Sequence, residues 1–135
     1  MRLALDTNVL LGALLSLSSP PAQLFALWRN RAFELVTSAE QIEEISRVTR
    51  YPKIRARLAP ALAGRLVNQL RDLAIVVAKL PKVDRSPDPE DNHLLALAEA
   101  GEAQFLVTCN KRLLSLKHHK FTHIITPAAI IGLLR

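Results

Sequence analysis

Apolar residues fall into two rhythms along this chain. Short, nearly unbroken apolar runs at 3–5, 33–36, 74–77, 105–108 and 123–125 predict five strands. Stretches in which apolar positions recur at helical spacing predict helices at 9–17, 22–30, 39–50, 54–72, 89–100, 111–116 and 127–134. Pro60 and Gly64 are expected to break the fourth of these into two pieces. Strands alternating with helices imply an α/β fold in which a central, mostly parallel sheet of about five strands is covered on both faces. The run Phe105-Leu106-Val107 reads as a central strand buried on both sides. No internal repeat is present. The segment 79–91 carries three prolines and four acids and reads as an exposed connection, too short to divide the chain, so 1–135 is expected to form a single domain.

The polar residues that interrupt this pattern are more informative than the pattern itself. Asp6-Thr7-Asn8 stands between Leu3-Ala4-Leu5 and Val9-Leu10-Leu11, which puts Asp6 at the carboxyl end of a buried strand. Open α/β sheets place their ligand crevice at that end. An unpaired carboxylate there costs several kcal/mol, so it is expected to be paired or metal-bound. In the helix that begins at Ser38, a capping box (Ser38-Ala39-Glu40-Gln41) fixes the start. Ile42, Ile45, Val48 and Thr49 then share one face, Glu40 and Glu43 point away, and Glu44 falls at the boundary about 100° from the centre of the apolar stripe. Glu44 can therefore reach inward, or pair with Arg47 on the rim.

The third acidic segment is Asp88-Pro89-Glu90-Asp91-Asn92-His93. Asp88 suits an N-cap, Pro89 the first helical position and Asp91 the capping-box position. Glu90 and Asp91 lie equally close to the buried face, so periodicity does not choose between them, and acids in a first turn also serve the helix dipole. Thr108-Cys109-Asn110 repeats the N-terminal pattern of a buried strand ending in polar side chains. Asn110 suits a helix cap or an auxiliary oxygen ligand, and Cys109 a small buried filler. His93 is expected to be a surface or satisfied residue, and His118-His119 to lie in a mobile basic turn.

Charge narrows the function classes. The 135 residues carry a net charge of +6, with half of the residues hydrophobic but only 4% aromatic. A basic chain suits an anionic partner, nucleic acid first, although a cationic surface also serves solubility. Base stacking is then a minor contribution. One cysteine excludes an intrachain disulfide framework and fits a reducing cytoplasm. The first 22 residues have some features of a secretory signal, but Asp6 and Asn8 interrupt the apolar stretch and no Ala-x-Ala follows. No segment has the apolar length of a membrane span, and there is no phosphate-binding glycine loop or nucleophile elbow.

If Asp6, Glu44 and Asp91 meet at one sheet edge, like charges require a counter-charge, and a hard divalent cation supplies it. Together these residues resemble the PIN domain family, most closely its ribonuclease toxins from bacterial type II toxin–antitoxin pairs. The resemblance rests on four segments in order: Leu5-Asp6-Thr7-Asn8-Val9; Ser38 through Glu44-Ile45-Ser46-Arg47-Val48 with Arg50-Tyr51-Pro52-Lys53; Asp88 through Asp91-Asn92-His93 to Ala98; and Leu106-Val107-Thr108-Cys109-Asn110-Lys111-Arg112-Leu113-Leu114. It selects Glu44 over Glu43 and Asp91 over Glu90. It implies a three-layer α/β/α sandwich and a Mg²⁺- or Mn²⁺-dependent endoribonuclease. The catalytic, metal-binding acids would be Asp6, Glu44 and Asp91, with Asn110 as auxiliary ligand and Thr7, Asn8 and Thr108 orienting them. It further implies a small antitoxin partner and a homodimer or higher oligomer. Basic runs follow these residues: Arg47, Arg50, Lys53, Arg55 and Arg57 after Glu44, and Lys111, Arg112, Lys117 and Lys120 after Asn110. They would grip the RNA backbone, with Arg47, Arg50, Lys53, Lys111 and Arg112 as the foremost contacts. Asn110 stands where the family often has Asp, and Cys109 where Gly is common. That departure leaves open a catalytically weakened module that binds RNA or an antitoxin.

Overall fold

The computed structural model describes residues 1–135. Six strands form one sheet: β1 (Arg2–Leu5), β2 (Glu34–Ser38), β3 (Ile75–Val77), β4 (Phe105–Val107), β5 (His118–His119) and β6 (Thr122–Ile125), in the order β3-β2-β1-β4-β6-β5. All neighbours are parallel except β5, which pairs antiparallel with β6. The expected α/β architecture is present, with one strand more than predicted. His118 and His119 are a short edge strand and not a mobile turn, and His119 is buried.

The sheet separates two apolar layers by simple alternation along each strand. Leu3, Leu5, Leu35 and Val107 face one side, where they pack against α1 (Thr7–Leu15), α2 (Pro20–Arg29), α3 (Ala39–Val48), α5 (Pro60–Leu73) and α8 (Pro127–Leu134). Ala4, Val36, Leu106 and Ile124 face the other, against α6 (Asn92–Ala100) and Leu113 of α7 (Lys111–Leu114). β1 and β4, covered on both sides, are therefore continuously apolar in sequence, as expected of central parallel strands. The predicted helix at 54–72 divides before Pro60 into α4 (Pro52–Arg55) and α5, with Pro60 in the first turn of α5, where its missing N–H costs nothing. Gly64 lies inside α5 and breaks nothing.

The close approach of α6 to the sheet is set by Gly101. A methyl group there would sit 3.0 Å from Val36 Cβ and 3.0 Å from the Leu97 carbonyl oxygen. Gly101→Ala is expected to destabilise the protein by about 1–3 kcal/mol through overpacking, read as a lower denaturation midpoint at unchanged m-value. A variant as stable as wild type would show that this contact gives way freely.

β1 is where the strand order turns: its chain neighbour β2 lies on one side and β4 on the other. The crevice outside the carboxyl ends of β1 and β4 is the place such a sheet offers to a ligand.

Candidate active site

Asp6 follows β1 directly, caps α1, and is almost wholly buried. Its Oδ1 accepts from the Asn8 backbone N–H at 3.1 Å and its Oδ2 from the Thr108 hydroxyl at 2.7 Å. Burial pushes the Asp6 carboxyl above its usual range, against the pull of these two donors. Thr108 is itself fully buried at the end of β4, and its hydroxyl also accepts from the Asn110 N–H at 3.0 Å. Because Thr108 turns inward, Cys109 turns out: it is exposed, not the buried filler that its composition suggests. The Asn8 side chain is exposed, and only its backbone supports Asp6.

Glu44 reaches the same crevice from α3, while Glu40 and Glu43 stay in solvent as periodicity predicts. Its carboxylate accepts from the Thr7 hydroxyl and lies 3.5 Å from His93 Nε2. Chiefly the contact with His93, and then that with Thr7, hold Glu44 below the usual carboxylate range. Arg47 adds to this through space without forming an ion pair, so His93 takes the place expected of Arg47. The other ring nitrogen of His93 is buried without a partner, so His93 is neither a surface residue nor fully satisfied. Its position two residues after Asp91 was the available signal.

Asp91 comes from a short 3-10 turn, Pro89–Asp91, that leads into α6. Asp88 caps that turn through Glu90 N–H, and Asp91 occupies the N-cap of α6 without making a side-chain cap bond. The capping-box role expected of Asp91 is therefore absent, and Glu90 is exposed. Asp91 Oδ2 accepts from Asn110 Nδ2 at 3.1 Å. Burial first, and then the charges of Asp6, Asp88 and Glu44, lift its carboxyl to about 6.

Asn110 does two jobs. Its Oδ1 accepts from Arg112 N–H and caps α7, which turns its NH₂ group toward Asp91. An amide has one oxygen, so this orientation offers the crevice a donor and not a ligand. The sequence marks Gln41 only as a member of the capping box: its N–H does donate to the Ser38 hydroxyl at 3.1 Å, but its side chain does not return to Ser38. Fully buried, it donates to the Leu5 carbonyl at 2.6 Å and accepts from the Thr37 hydroxyl at 2.7 Å, and its Nε2 lies 3.5 Å from the Thr7 hydroxyl. It thereby ties the ends of β1 and β2 to the Thr7 that holds Glu44.

Three carboxylates from three separate elements thus raise or feel one another's charge around one sheet edge. A family model described as the PIN domain matches residues 2–112, from β1 through all three acids and into α7. The chain belongs to the PIN domain family. No curated protein matches it in sequence. PIN domains are a nuclease-type family that typically binds divalent metals, and the donor chemistry of this PIN domain suits such an ion, being hard carboxylate oxygen. The acids are not drawn into a ready-made cluster: no group of three or more His, Cys, Asp or Glu side chains stands close enough to hold an ion. Thr108, Thr7 with His93, and Asn110 each hold one of the acids individually. Lys111 and Arg112, exposed at the start of α7 beside Asn110, add positive charge at the rim. No single helix is long and apolar enough to cross a membrane.

Proposed function

We propose that this PIN domain is a metal-dependent endoribonuclease that hydrolyses RNA phosphodiester bonds in the cytoplasm, as the toxin of a toxin–antitoxin pair. The observation that carries this reading is the convergence of three acids from separate elements on one crevice at the sheet edge, close enough to feel one another's charge. Burial and the mutual repulsion of Asp6, Glu44, Asp88 and Asp91 lift Asp91 to about 6, and His93, beside Glu44, offsets only part of that charge. Asp6, Glu44 and Asp91 would hold Mg²⁺ or Mn²⁺, which supplies a Lewis acid for the phosphoryl oxygen and activates water. The remaining residues orient. Thr108 fixes one oxygen of Asp6 and the Asn8 N–H the other, while Thr7 and His93 fix Glu44. The excess of basic residues serves to attract the anionic substrate. A small antitoxin would silence the enzyme by covering this crevice, and a homodimer would extend the basic surface.

The test is cleavage of labelled RNA by purified protein with Mn²⁺. Wild type is expected to cleave and Asp6→Asn to lose at least a hundredfold in rate, since the charge and one of the two oxygens that would hold the ion are removed. Equal cleavage by the two proteins would sink the nuclease reading. A second reading, an RNA- or antitoxin-binding module with little catalysis, is favoured by the orientation of Asn110, whose only oxygen is spent on capping α7. An aspartate at 110 could cap α7 with one oxygen and present the other to the crevice. Asn110→Asp is therefore expected to raise Mn²⁺ affinity several-fold in calorimetry, and activity with it. If only Asn110→Asp cleaves RNA, the binding-module reading is the correct one.

A further inference from the structure

Behind the acid crevice, on the opposite side of α3, lies a groove of about 510 Å³ between α3, α4 and α5. Its charged residues are all arginines: Arg50 from the turn after α3, Arg55 from α4 and Arg71 from α5, converging from three places in the chain. No acidic side chain lines it. None of the three guanidiniums forms an ion pair; the ion pairs of this protein involve Arg2, His93, His119 and Lys120 instead. Asp72, next to Arg71 in sequence, faces a separate hollow beside Trp28 and Leu73. Ser46 and Asn68 add uncharged polar groups to the walls.

We propose that this groove is a second nucleic-acid subsite, binding the phosphodiester backbone of single-stranded RNA whose scissile bond lies over the acids. The proposal rests on the ribonuclease reading and extends it. Arginine forks match phosphate oxygens two bonds at a time, and hydroxyl and amide groups complete such contacts without reading sequence. The walls are too polar to anchor an acidic peptide by side-chain burial, because only two of the ten lining residues are hydrophobic. Tyr51, half exposed beside Arg50, offers one ring on which a base can stack. Glu44 lies about 6 Å before the end of α3 at Val48, and Arg50 follows in the turn beyond it, so a strand passing over the C-terminal end of α3 reaches both places. Of the basic run after Glu44, Arg50 and Arg55 line this groove and Arg47 and Lys53 do not; Arg71 joins them from α5.

The experiment is binding of a short fluorescent single-stranded RNA, followed by anisotropy in EDTA across a salt series. The triple variant Arg50→Gln, Arg55→Gln, Arg71→Gln is expected to bind at least tenfold more weakly. Its slope of log K against log salt should be shallower by about 2, from the loss of three phosphate contacts at roughly 0.7 each. The control removes the same charge elsewhere: Arg29→Gln, Arg31→Gln, Arg65→Gln. Gly64 supplies a variant that threatens the fold least, since a side chain built there meets nothing within 4 Å. Gly64→Glu places an acid among the arginines inside a helix that gains from losing glycine; it should melt no lower than wild type and yet bind RNA at least fivefold more weakly.

Equal losses in the two triple variants would reduce the effect to net charge and overturn the proposal. So would unchanged RNA binding by the groove variants, including the case in which they lose only the capture of poly-glutamate, which would assign the groove to an acidic protein partner. The nuclease reading fails in the Mn²⁺ cleavage assay and this proposal fails in EDTA, so the two failures are told apart.

Discussion

Replacing Asp91 with Asn is expected to abolish Mn²⁺-dependent RNA cleavage while making the metal-free protein more stable at neutral pH. The carboxyl of Asp91 is lifted from 3.8 to about 6 by burial and by Asp6, Asp88 and Glu44. A folded-state value above the unfolded one means that the folded protein holds this proton more tightly. Below about pH 4 the group is protonated in both states and costs nothing. As pH rises from 4 to 6 the unfolded chain releases the proton first, and stability falls; above 6 the penalty is constant. The carboxyl is partly open to water, so the penalty is about 1 kcal/mol at pH 7 after allowance for screening. Asn removes it and can still accept from the Asn110 amide. The stability gain of Asp91→Asn should therefore vanish near pH 4 and be complete above pH 6, in chemical denaturation without metal. Adding Mn²⁺ should raise the melting temperature of wild type and leave that of Asp91→Asn unchanged. A variant less stable than wild type at pH 7 would show that the acid cluster is not under electrostatic strain.

The second large effect is expected at Gln41, which lies behind the acids and contacts none of them directly. Gln41→Leu keeps the volume but orphans the Leu5 carbonyl and the Thr37 hydroxyl, both inside the protein, and frees Thr7 from one neighbour. Buried polar groups left unpaired cost about 1–3 kcal/mol each. The whole substitution should cost about 3 kcal/mol, or roughly 10 °C in melting temperature for a domain of this size. Thr7 is also the donor to Glu44, so Mn²⁺ affinity should fall about tenfold or more in calorimetry, as is usual when a group behind a ligand is lost. Thr37→Val, which removes only one hydrogen bond, should cost about 1 kcal/mol and leave Mn²⁺ affinity alone. If the two variants behave alike, Gln41 is a packing residue and not the brace of Glu44.

The frame of this protein is legible in its sequence because burial on both faces leaves a mark that local chemistry cannot hide. Leu3-Ala4-Leu5 and Phe105-Leu106-Val107 read as central strands and are central strands. β5 was not legible: it is two residues long, and its flanking turns use Lys117 and Lys120 in the left-handed region where Gly or Asn would have given a signal. The position of Glu44 followed from helical periodicity, and Asp91 from its neighbours in the motif. What the sequence did not reveal is who pairs with whom. His93 against Glu44, the amide of Asn110 against Asp91, and Gln41 across two strand ends are contacts between residues far apart in the chain, and no local pattern encodes them. Likewise Arg71, in α5, joins Arg50 and Arg55 only once the helices pack.

β1 sits between β2 and β4, and Asp6 takes its hydroxyl donor from Thr108, 102 residues later. On a ribosome the first strand emerges long before one of its two neighbours exists. At about 5–20 residues per second, that interval is on the order of 5–20 s. During it, Asp6 has only the N–H of Asn8, and Asp91 lacks the amide of Asn110 until β4 is made. A nascent or prematurely terminated chain ending before residue 108 therefore carries all three acids but not the hydroxyl and amide that hold two of them. The crevice takes its final form only with the last quarter of the protein, so a chain cut short there lacks the two donors that set Asp6 and Asp91 in place.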